Sequence, residues 1–118
     1  MPKSTYSINA ALNVFLRNTA YTAPVTVYLA LLNTGTEVTG GSYARQTIAF
    51  AAPAAGAVAS NTAQTFTAMP ATTVTQIGLY DALTVGNQLY LITVTASKTT
   101  NAGDTVTVAS GAVTISEA

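Results

Sequence analysis

The sequence predicts an all-β fold: an antiparallel β-sandwich or jelly-roll-like single domain with one short N-terminal α-helix. Three observations predict it. Apolar residues alternate with period two in short segments between residues 25 and 116. Gly, Asn, Asp and Pro punctuate those segments at near-regular spacing. A helical period occurs once, near the N-terminus, so nothing separates the strands into βαβ units and antiparallel sheets stacked face to face are expected. A chain of 118 residues allows one domain, 1–118.

The helix is expected over about 7–17. Ile8, Ala11, Leu12, Phe15 and Leu16 recur at i, i+3, i+4, i+7 and i+8, which is one helical face. Ser7 is the expected N-cap, Arg17 suits the negative end of the helix dipole, and Asn18 is a natural stop. The apolar face is expected to cover a sheet or a neighbouring subunit. With one Arg and no Lys on its polar side, the helix makes a poor membrane binder.

After Pro24 the period changes. Val25, Val27, Leu29 and Leu31 share one face of a strand, and Ala30 and Leu32 make the other face apolar too, so both sides should be covered. A glycine-bearing loop, 33–42, precedes a strand from Tyr43 to Phe50. In 51–59 alanines favour helix, but Pro53 and Gly56 argue for a loop or an extended edge. Further strands are expected at 63–67, 74–81, 88–96, 105–109 and 112–116. Gly78 marks a bulge in its strand or a close approach of another backbone. Gly86-Asn87, Asn101-Ala-Gly-Asp104 and Ser110-Gly111 read as turns.

Composition narrows function. Charged residues are only 7% of the chain, with four cations (Lys3, Arg17, Arg45, Lys98) against four anions (Glu37, Asp81, Asp104, Glu117). Four dispersed cations cannot line a nucleic-acid surface within one protomer. Without His or Cys, the usual zinc and haem ligands and the Ser–His and Cys–His nucleophile pairs are missing. No cofactor is expected and no enzyme. No apolar signal-peptide core follows the first five residues, and no run is long enough to span a bilayer. Zero net charge gives little colloidal repulsion, which suits a protein whose normal state is assembled.

The candidate residues are accordingly few. Asp81 and Asp104 lie at strand ends, where Asp ordinarily serves backbone N–H groups. Arg45 sits inside a predicted strand of a nearly uncharged chain. It could oppose unwanted strand pairing at an edge, or, buried at an interface, clasp backbone carbonyls or a partner's carboxylate. With its neighbours Tyr43 and Gln46, and with Leu12 and Phe15 of the helix, it forms the expected interface set. The tyrosines read mainly as half-buried packing, with a sugar platform as the alternative. Gly40-Gly41 lacks the lysine and helix of a phosphate loop.

Several segments together resemble a known family: Arg17-Asn-Thr-Ala-Tyr21, Thr36-Glu-Val-Thr-Gly-Gly-Ser-Tyr-Ala-Arg-Gln46, Ile77-Gly-Leu-Tyr-Asp-Ala82, Gly86-Asn-Gln-Leu-Tyr90 and Asn101-Ala-Gly-Asp-Thr105. In this order they are similar to small virion proteins of tailed bacteriophages, often labelled tail fibre proteins and close to capsid decoration or cement proteins. The resemblance implies a structural role on the virion. The expected form is a homotrimer on the capsid surface that bridges subunits of the major capsid protein. A tail-fibre module that binds a receptor or a host surface glycan is the alternative. The chain has neither the repeats nor the heptads of a fibre shaft.

Overall fold

The computed structural model describes residues 3–116. Glu117, one of the four acids, and the first two residues lie outside that range. The element order is α1 (Thr5–Leu16), β1 (Val27–Asn33), β2 (Thr36–Glu37), β3 (Gln46–Ile48), β4 (Ala57–Ala59), β5 (Gln64–Met69), β6 (Thr72–Tyr80), β7 (Gln88–Thr100), β8 (Asp104–Val108) and β9 (Thr114–Ser116).

All pairings are antiparallel. A five-stranded sheet runs β2-β1-β6-β7, with β3 also paired to β1, and two-stranded sheets form from β4–β9 and β5–β8. Alternation explains the layering. Leu29 and Leu31 of β1 and Leu79 of β6 point to one face of the large sheet. There they meet Phe66 and Met69 of β5 and Ile115 of β9 in one core. The strands, the single helix and the antiparallel two-layer arrangement match the predicted class.

Several boundaries differ for local reasons. The 43–50 strand shrinks to Gln46–Ile48, because Arg45 turns its side chain away to bind other groups. The 33–42 loop contains the short strand β2, which closes a tight turn with Thr34 at φ 47 and Gly35 at φ 85. In 51–59 the extended reading holds: Ala55 and Gly56 make a turn, and Ala57–Ala59 pairs with β9. The turn at 101–104 is as expected, with Gly103 at φ 91 and Asp104 Oδ2 accepting from Asn101 N at 2.8 Å.

The helix differs most. Its N-cap is Ser4, whose hydroxyl accepts from Ser7 N at 3.1 Å. Ser7 lies one turn inside and donates its hydroxyl to Leu89 O at 2.6 Å. Leu89 O also accepts from Ser4 N at 3.0 Å, so the start of the helix is tied to the start of β7. Asn18 ends the helix as expected, in a left-handed conformation with φ 55. Ser4→Ala should cost about 1 kcal/mol. A melting temperature lower by a few degrees in a thermal scan would show it.

Candidate functional site

Arg45 is heavily bonded for a charge in so uncharged a chain. The residue is only 8% exposed. Its Nε donates to Glu37 Oε2 and its Nη2 to Glu37 Oε1, both at 2.9 Å, a two-pronged ion pair. Its Nη1 donates to two backbone carbonyls, Ala82 O at 2.8 Å and Val85 O at 2.9 Å. The guanidinium lies 3.8 Å above the centre of the Tyr80 ring.

Local sequence explains this clasp. Gly78 leaves room for the Tyr80 ring: an added Cβ would sit 2.8 Å from Tyr80 Cε1 and 3.1 Å from Leu32 Cδ1. Side chains, and not another backbone as expected, are what approach Gly78 closely. Tyr80 lies flat over the gap and forms the platform for Arg45. On the other side, the Tyr43 hydroxyl donates to Glu37 Oε2 at 2.8 Å and accepts from Leu31 N at 2.9 Å. The Tyr43 ring stacks on Phe66 of the core, with ring centres 5.9 Å apart.

The electrostatics follow the geometry. Burial pushes the Glu37 carboxyl up, but bonds from Arg45 and Tyr43 and the nearby cation outweigh it and hold the group below its ordinary value. Burial, reinforced by the Glu37 carboxylate, pushes Tyr43 well above its ordinary value. Asp81 is held low chiefly by the backbone N–H of Asn87, which it accepts at 2.7 Å. Both central acids, Asp81 and Asp104, therefore serve turns.

The chemistry expected of Arg45, a fork on carbonyls and a carboxylate, is present, and its partners belong to its own chain. Tyr43 shares the clasp. Gln46 stands apart, half-buried in β3 opposite Leu29, with Nε2 donating to Ala44 O at 3.1 Å. Leu12 and Phe15 are on a different surface altogether. The structure does not gather the five residues into one patch.

That second surface is the apolar end of the molecule. No residue of α1 is buried. The predicted apolar face does not cover its own sheet: Phe15 is 80% exposed and Leu16 76%. The helix instead meets β7 through small side chains, with Ser7, Ala10 and Ala11 half-buried. β1 begins, β6 ends and β7 begins at one end of the large sheet, where Tyr28 faces Tyr80 and Tyr80 faces Gln88. Among the described residues, every large hydrophobic side chain left exposed lies on α1, on the segment to Val25 that follows it, or on the 81–87 loop. All three converge on that end.

The fold and these surfaces define a small β-structural module, braced by an internal arginine and apolar on one end. A family model described as "Podophage GP4 fiber I protein gp80" matches residues 2–116, and the chain belongs to that family. The family is one of phage virion structural proteins, fibre-like by its description. No curated protein matches the chain.

Proposed function

We propose that this chain is a non-catalytic building block of the phage particle that works by adhesion, joining copies of itself through α1. The carrying observation is the exposed stripe Ile8, Leu12, Phe15 and Leu16 on a helix whose small-residue face already holds it to the sheet. Surface area supports the reading. The accessible surface is 6800 Å², above the ~6,000 Å² of an average compact chain of this mass, as expected of a chain that leaves apolar side chains uncovered.

The family description favours a place in a fibre. The body measures 48 × 27 × 23 Å, so one copy cannot be a shaft, and a fibre built from it needs several copies or a longer companion chain. The same compact shape favours the second reading, a cement on the capsid surface that bridges capsid subunits and stabilises the shell by binding only its assembled state. Copy number separates the two. A stained gel of purified virions should show a few tens of copies at most for a fibre component and hundreds for a cement. Removing a cement should also cost heads their heat resistance, whereas heads stripped of a fibre component should survive like complete ones. Absence of the chain from purified particles would end both readings.

A further inference from the structure

Val85 is an anomaly in the 81–87 loop. Its φ is +56, a left-handed conformation that strains a β-branched residue. Asn, Asp or Gly ordinarily occupies such a position before a glycine. Strain of this kind persists where surrounding contacts enforce it, and it is concentrated at sites of function. The Val85 side chain returns nothing to its own fold, being 83% exposed. Thr34, with φ +47, differs: its hydroxyl donates to Asn33 Oδ1 at 3.2 Å.

The loop is held rigidly. Arg45 binds the Ala82 and Val85 carbonyls, and Asp81 binds both the backbone N–H and the side-chain amide of Asn87, at 2.7 and 3.0 Å. Gly86 packs so tightly that an added Cβ would sit 2.6 Å from Asp81 Oδ1. Next to Val85 on the same tip, Leu83 is 50% exposed. Four directed bonds thus fix a loop that presents two aliphatic side chains, Leu83 and Val85, on either side of the exposed Thr84.

We propose that the 81–87 loop is a preformed contact tip: Leu83 and Val85 enter an apolar pocket on another protein of the phage particle, and Arg45 is the residue that positions them. The chemistry of the tip selects the partner. It offers two exposed aliphatic side chains and no cation, so a polyanion would find nothing to bind, whereas an apolar protein pocket would bury both Leu83 and Val85. A fixed loop loses little conformational freedom on docking, which favours affinity. The proposal rests on the virion reading and is independent of self-association through α1.

The test uses phage particles assembled without this chain, incubated with purified full-length protein and pelleted. Val85→Asn removes the apolar contact and suits the left-handed conformation. It should melt no lower than wild type, keep the wild-type oligomer mass, and lose at least tenfold in particle occupancy. Leu83→Ser should behave alike. Unchanged occupancy for both variants would overturn the proposal. So would a Val85→Asn protein that melts several degrees lower, since Val85 would then serve its own fold. A fall in oligomer mass together with occupancy would also overturn it, making a second copy the occupant. A wild-type protein that is monomeric yet binds particles through the tip would sink only the α1 reading.

Discussion

Arg45→Ala is expected to lower the stability of the protomer by about 3 kcal/mol, the range seen when one member of a buried ion pair is removed. Three losses combine. Glu37 keeps only the Tyr43 hydroxyl as a partner for a half-buried carboxylate. The Ala82 and Val85 carbonyls lose their shared donor. The Tyr80 ring loses the cation that covers it. Arg45→Lys should recover only part, because an ammonium cannot span a carboxylate and two carbonyls with one planar fork. Urea unfolding gives the measurement: the midpoint should drop while the slope stays constant. A variant as stable as wild type would show that the clasp contributes nothing net.

The same pair sets an acid limb. The folded-state value of Glu37 lies below its ordinary one, so its contribution is complete above the unfolded value and is lost as pH falls through the folded one. Wild-type stability should therefore fall below about pH 4.5, where the unfolded chain takes up at Glu37 a proton that the folded, Arg45-paired carboxylate still resists. In Arg45→Ala the cation that holds Glu37 down is gone and burial still pushes it up, so this part of the acid loss should vanish. Melting temperatures of the two proteins between pH 6 and 3 would converge if the pair is responsible.

The periodicities that predicted the strands are properties of single segments, and they were legible for that reason. Alternation around Leu29 and Leu31 identifies β1 whatever it pairs with, and Gly103 with Asp104 identifies a turn without reference to the rest of the chain. The clasp was legible only in part. An Arg inside a strand of a nearly uncharged chain signals a demanding environment, but two of its acceptors are the backbone carbonyls of residues 82 and 85, and a carbonyl leaves no mark in a sequence. Val85 was missed for a related reason. The Gly86-Asn87 turn is readable, whereas a strained φ at a valine contradicts propensity and only the assembled loop enforces it. The cap was misplaced at Ser7 because two serines three residues apart both suit the role. Ser7 is claimed by Leu89 O, a long-range partner. The helix shows the remaining limit: a 3.6-residue period tells which side chains share a face and not what that face meets.

For α1 the meeting partner decides everything, and Leu12→Ser with Phe15→Ser is the second large effect expected. Burying a Leu or Phe side chain is worth about 1.5–3 kcal/mol each, so polar replacement of both should weaken self-association by roughly 3–5 kcal/mol, about two to three and a half orders of magnitude in Kd. The protomer itself should be nearly indifferent. Phe15 is 80% exposed and Leu12 48%, and serine at these sites costs only the small difference in helix propensity. The expected pattern is a wild type that runs at a multiple of 12.0 kDa in light scattering and a double variant that runs at 12.0 kDa, with melting of the dilute protomer within a few degrees of wild type. That dissociation of assembly from folding is what distinguishes an outward face from a core one. A large loss of fold stability would mean that the helix rearranges onto its own sheet in solution. An unchanged oligomer mass would move the self-association surface away from α1.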